Sequence, residues 1–122
     1  MALFDWSQYL ILAKDLSTRS DEAALRSSIS RAYYAAYHHA KTYCASKSIP
    51  IINSGGGNSD HYDLWETFGK RAGTTFAAVH TMGNRLKRKR VNADYDANIS
   101  GLAGIVADSI RDSDAIFYYL KI

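Results

Sequence analysis

The 122-residue chain has little that would staple it or break it: one cysteine, one proline and no long uninterrupted apolar run. A lone Cys44 cannot close an internal disulfide, which excludes a disulfide scaffold. No apolar stretch approaches the roughly 20 residues that cross a bilayer, so no membrane contact of that kind is expected. The opening residues lack a charged stretch followed by an apolar core and a small-residue cleavage site, so the expected location is cytoplasmic. Glycine is sparse except for the run Gly55-Gly56-Gly57, which no strand precedes and no Gly-Lys-Ser/Thr follows; a phosphate-binding P-loop has no framework there. Of the four histidines, His38 and His39 are adjacent. Neighbours on a helix point about 100° apart, so they cannot chelate one metal as an i, i+4 pair would. No metal site and no cofactor is therefore expected. A Gly-x-Ser-x-Gly elbow is also missing, and Cys44, in phase with an apolar stripe, reads as a small buried hydrophobe rather than a nucleophile.

What the chain does have is 47% hydrophobic residues, 22% charged residues and nine tyrosines, at a size suited to one domain over residues 1–122. Apolar residues recur at three- and four-residue spacing almost throughout, and strand-like alternation is absent, so the expected fold class is all-α. A first helix should start near Asp5, with Trp6, Tyr9, Leu10 and Ala13 on one face, and fade by Ser17 to Arg19. Ser20 or Asp21 should cap a second helix, whose stripe of Leu25, Ile29, Ala32, Tyr33, Ala36, Tyr37, Ala40 and Cys44 makes it the longest element, roughly 40 Å at about 1.5 Å per residue. Pro50 and the run from Asn53 to Ser59 end it in a long glycine-rich loop. A short third helix is expected from Asp60, turning Leu64, Trp65, Phe68 and Ala72 inward, with Gly73 closing it. Thr74 or Thr75 should cap a fourth. The stretch from Asn92 to Asn98 should break that helix, and Asn98 should cap a fifth running through Ile99, Leu102, Val106, Ile110 and Phe117 to Leu120.

Two regions carry candidate chemistry. On the second helix Ser27, Arg31, Tyr34, His38 and Lys41 share a polar face away from the apolar stripe. It serves either as a solvated outer face or as a groove offering a guanidinium, a phenol and an imidazole to a phosphate or base. At the expected end of the fourth helix stand Arg85, Lys87, Arg88, Lys89 and Arg90, five cations in six residues. Their mutual repulsion would be relieved by a phosphate backbone or by nearby acids, of which Asp94 and Asp96 are the obvious ones. His61, opening the third helix, is either a proton donor or an exposed residue of the first turn. The net charge of +3 permits nucleic-acid contact without requiring it.

The blocks Ser30-Arg-Ala-Tyr-Tyr-Ala-Ala-Tyr-His38 and Arg90-Val-Asn-Ala-Asp-Tyr-Asp96 resemble the HEPN family, in particular an uncharacterised prokaryotic branch, and His61 matches that branch too. The resemblance implies an up-and-down bundle of four to five helices that forms a homodimer. Its cleft would lie near the end of the fourth helix. Many members are toxins of toxin-antitoxin pairs or other defence proteins, often encoded beside a small nucleotidyltransferase antitoxin. Active members are metal-independent ribonucleases with an Arg-x4-6-His motif, in which arginine stabilises phosphate charge and histidine moves a proton during attack by the ribose 2′-OH. Here Tyr95, Asp96 and Ala97 fill the window where that histidine would stand, and no histidine follows His80. The resemblance thus implies a module that binds RNA or a nucleotide, with Arg90, Asp94, Tyr95 and His38 as the candidate catalytic set. Arg31, Tyr34, His61, Arg85 and Arg88 are the candidate ligand-binding set. Two alternatives stand beside it: an active endoribonuclease whose histidine is supplied from elsewhere, and a non-catalytic interaction module held by an ion network of Arg31, Arg90, Asp94 and Asp96.

Overall fold

In the computed structural model, which describes residues 3–122, the chain is an all-α bundle of five helices: α1 (Ser7–Leu16), α2 (Glu22–Ser46), α3 (Asp60–Gly69), α4 (Thr74–Tyr95) and α5 (Leu102–Tyr119). Helix α2 is the axis, packed by α1, α5 and α4, while α3 lies mainly on α4. Small side chains allow the close approach. Ala32, Ala36 and Ala40 are fully buried along α2, and two serine hydroxyls tie its neighbours to it. Ser28 Oγ donates to the Ala13 carbonyl of α1 at 2.6 Å, and Ser113 Oγ of α5 donates to the Ala32 carbonyl at 2.8 Å. Between α3 and α4 the approach is closer still: a Cβ on Gly83 would stand 2.2 Å from the Trp65 ring, so only glycine fits there. Among the described residues no helix is long and apolar enough to cross a membrane.

Side-chain acceptors stand at the starts of the first three helices, as N-caps at α2 and α3 and one residue earlier at α1. The Asp5 carboxylate takes the Ser7 N–H at 3.0 Å, Asp21 takes the Ala24 N–H at 3.2 Å, and Ser59 takes the Tyr62 N–H at 3.2 Å. Asp60 and Asp63 in the first turn of α3 also complement the positive end of its dipole. Helix α2 ends in a Schellman motif. Ser48 adopts φ 56°, its N–H reaches the Ala45 carbonyl, and the Ile49 N–H reaches the Cys44 carbonyl at 2.8 Å while its side chain packs on the core.

The boundaries differ from expectation around α3, α4 and α5. Helix α3 stops at Gly69, which leaves Ala72 exposed beyond it rather than facing inward. Gly73, at φ 116°, does not close α3 but stands at the N-terminus of α4, so neither Thr74 nor Thr75 is the cap. Helix α4 does not break at Asn92; it continues to Tyr95. The reason is tertiary. Arg26 of α2 donates to the carbonyls of Ala93, Asp96 and Ala97 at 2.9, 2.6 and 3.2 Å, and Ala93 is buried with Ile29 and Val106. A guanidinium thereby occupies the negative end of the helix and satisfies carbonyls that would otherwise face water. Helix α5 begins at Leu102 after a left-handed Gly101, not at Asn98, and Ile99 lies in the irregular segment before it.

Candidate nucleic-acid interface

Continuation of α4 through Tyr95 carries the basic cluster along the helix instead of leaving it at a helix end. The acid that answers the cluster comes from α5. Buried Asp112 receives Arg85 through two hydrogen bonds of 2.9 and 2.6 Å and Lys89 at 3.3 Å. Asp94 forms an i, i+4 pair with Arg90 at 3.3 Å. Asp96 takes part in no ion pair among the described residues, and neither does Arg31, so the expected four-membered network reduces to the single Arg90–Asp94 pair. Arg85 is thus committed to Asp112, whereas Arg88 is exposed without a carboxylate partner. Tyr95 is 76% exposed and makes no side-chain hydrogen bond among the described residues.

Arg90 turns into the bundle. Its guanidinium lies 5.5 Å from the Tyr33 ring centre and 5.4 Å from that of Tyr34, and its Nε is buried without a hydrogen-bond partner. Tyr34 is shared with a second guanidinium, that of Arg31, at 5.6 Å, and Arg31 also covers Tyr9 at 4.8 Å. Two guanidiniums therefore flank one phenol. Beside them opens a groove of about 580 Å³ whose walls include Ser27, Ser30, Arg31, Tyr34 and Asp94. Of the two cations, Arg31 lines the groove and pairs with no carboxylate among the described residues, so its N–H edge is the one open to an oxyanion there, whereas Arg90 is engaged by Asp94.

His61 reaches the same cluster from α3. Its Nδ1 is 2.6 Å from the Tyr33 hydroxyl, and its ring stacks on Tyr37 with centroids 4.2 Å apart. The Tyr33 hydroxyl also accepts the indole N–H of Trp65 at 3.1 Å. Trp65 can only donate, so the one arrangement that satisfies all three groups has Tyr33 donating to His61 Nδ1. The imidazole then carries its proton on Nε2, which bonds to none of the described residues and is not buried. Burial, with Arg90 and Lys87 nearby, lowers the pKa of His61 from 6.5, and burial holds the Tyr33 phenol protonated. His38 takes a different position: it stacks on Trp6 with centroids 3.7 Å apart, and burial followed by Lys41 and Arg31 lowers its pKa too. Of the expected site residues, Arg31, Tyr34, Arg90 and His61 thus gather around Tyr33 and Tyr34, with His38 on the α1 side. Arg85, Arg88 and Tyr95 lie away from that centre.

No family model, curated protein or solved structure matches this chain.

Tyr33, Tyr37 and Trp65 are members of the site that the apolar stripe concealed. Their rings are core, but the Tyr33 hydroxyl organises His61 and its face carries Arg90. The available signal was composition: nine tyrosines, three of them at 33, 34 and 37, exceed what a core needs. Among the described residues no group of three or more His, Cys, Asp or Glu side chains is placed to hold a metal ion.

Proposed function

We propose that this chain is a HEPN-like module that binds single-stranded RNA or a nucleotide in the groove between α2 and the C-terminal half of α4. The observation that carries this reading is the pair of guanidiniums, Arg31 and Arg90, over the Tyr34 ring, with Asp94 paired to Arg90 and an open groove lined by Arg31, Tyr34 and Asp94. Two cations held together at the cost of repulsion favour an anion, and aromatic rings beside a phosphate site favour bases. The working unit in this reading is a homodimer in a toxin-antitoxin or defence setting, with a small nucleotidyltransferase as antitoxin partner. Filter binding of a labelled single-stranded RNA pool in EDTA at low salt tests it. Wild-type protein should retain RNA, and Arg31→Ala and Arg90→Ala should each weaken binding at least tenfold, as loss of a charge-assisted contact does. Failure of the wild type to bind RNA or mononucleotides would overturn the reading.

The second reading, a metal-independent endoribonuclease, is favoured by one feature: His61 and Arg90 share Tyr33 as a support, so a histidine does stand near the arginine although none follows it in the chain. As a neutral Nε2–H donor, His61 would hydrogen-bond a phosphate oxygen. To take the 2′-OH proton it needs the opposite tautomer, with Tyr33 turning its own proton elsewhere. Cleavage in EDTA that is lost in both Arg90→Ala and His61→Ala would establish this reading. Intact RNA with tight binding would leave the binding module.

A further inference from the structure

A second cavity, of about 320 Å³, opens on the other side of the His61 cluster between α2, α3 and the start of the glycine-rich loop. Tyr37, which stacks on His61, forms its aromatic wall; Ile52 and Leu64 form aliphatic walls; Lys41, Asn53 and two carboxylates, Asp60 at the rim and Asp63, supply its polar groups. The volume lies at the small end of ligand pockets and suits one planar ring system rather than a whole nucleotide. Its most informative member is Asp63. This side chain is 94% buried, being 6% exposed, and among the described residues its carboxylate accepts only from Ser54, through the hydroxyl at 2.5 Å and the backbone N–H at 3.4 Å. Among the described residues no cation is bonded to it. Lys41, which lines the same cavity, lies instead 5.5 Å from the Tyr37 ring centre. A buried carboxylate with acceptor capacity to spare favours a ligand that presents adjacent N–H donors.

Resting on the RNA-binding reading above, we infer that this cavity is a base-specific subsite for guanine, with Asp63 accepting from the guanine N1–H and N2 amino groups. Among the four bases only guanine offers two neighbouring donors on its Watson–Crick edge, the pair that a carboxylate's two oxygens match. Adenine and cytosine offer one amino group each beside an acceptor, which would face Asp63 unfavourably, and uracil offers one N–H between two acceptors. The Asn53 amide and the Lys41 ammonium supply donors for the guanine O6, and the aromatic and aliphatic walls cover the ring faces. The loop wall is held in place by the Ile52 N–H on Thr67 Oγ1 at 3.0 Å and by Ser54 on Asp63, so the pocket is formed before any ligand arrives. Because Tyr37 stacks on His61, a base in this cavity lies next to His61.

Calorimetric titration of the full chain with GMP, IMP, AMP, CMP and UMP at one low salt concentration tests the inference. IMP is guanine's counterpart without the N2 amino group, so the first comparison needs no mutation. GMP should bind about tenfold or more tightly than IMP or AMP, the discrimination a good bidentate pair supplies. Asp63→Asn should abolish the preference, because its amide donates where guanine also donates. Asn53→Ala, at an exposed residue, serves where Asp63→Asn fails to fold and should reduce the preference severalfold. Equal affinity for GMP and IMP would overturn the guanine subsite while leaving RNA binding in place. Absence of binding by every nucleotide and by RNA would overturn the binding reading as well.

Discussion

At the scale of single residues, carboxylates that look alike in the sequence differ in consequence. Asp94 sits in the block Arg90-Val-Asn-Ala-Asp94 and was the natural partner for the basic cluster, yet its contact is one 3.3 Å i, i+4 pair with a third of its side chain exposed. Asp112 lies in α5, among residues that read as ordinary amphipathic helix, and takes three hydrogen bonds at 8% side-chain exposure. Asp112→Ala should strand Lys89 in a mostly buried position, while Arg85, 45% exposed, regains some water. The expected loss is about 2 kcal/mol, between the values for exposed and for buried pairs. Asp94→Ala should cost less than about 1 kcal/mol. Urea denaturation of the two variants decides between them, and equal losses would show that the buried acid carries no special weight.

At the scale of elements, local signals and tertiary contacts share control. The start of α2 was readable because Asp21 is a side-chain cap that acts within one turn, and that of α3 because the loop run ends at Ser59, which caps it in the same way. The long α2 was equally readable from its stripe. The end of α4 was not. Asn92-Ala-Asp-Tyr-Asp96 has weak helix formers and looks like a break, but the carbonyls of Ala93, Asp96 and Ala97 are held by Arg26, 67 to 71 residues earlier, a relation no local pattern carries. The candidate site was half legible for the same reason. Arg31 and Tyr34 follow from spacing on one helix, whereas the meeting of His61 and Arg90 on Tyr33 needs three helices in register. Arg26→Ala should therefore unwind the last turn of α4 specifically. Amide hydrogen exchange of residues 93–96 should accelerate while α2 stays protected, and global stability should fall by about 2 kcal/mol, the range for hydrogen bonds to a charged group. Unchanged exchange there would mean that packing of Ala93 alone holds the turn.

At the scale of the whole molecule, the balance of charge and burial sets how the protein responds to pH. His38, His39 and His61 all have pKa values lowered from 6.5, each with burial as the first cause, and Arg31, Lys41, Lys87 and Arg90 add repulsion around two of them. Near pH 6.5 the unfolded chain takes up protons that the folded chain refuses, so the unfolded state binds more protons. The stability tied to these rings is therefore complete above about pH 6.5 and declines as pH falls through that value toward their depressed folded values. Carboxylates such as Asp5 and Asp21, lowered from 3.8, act only at more acidic pH. The melting temperature should accordingly hold steady from pH 8 to 7 and drop from pH 6.5 to 5. His61→Gln should flatten part of that slope, since glutamine takes up no proton in this range. A melting temperature that does not change between pH 7 and 5 would show that the three rings accept protons within the bundle. In that case the cations clustered around Tyr33 and Tyr34 do not oppose the charging of His61, and the electrostatic basis for anion binding in the groove weakens with it.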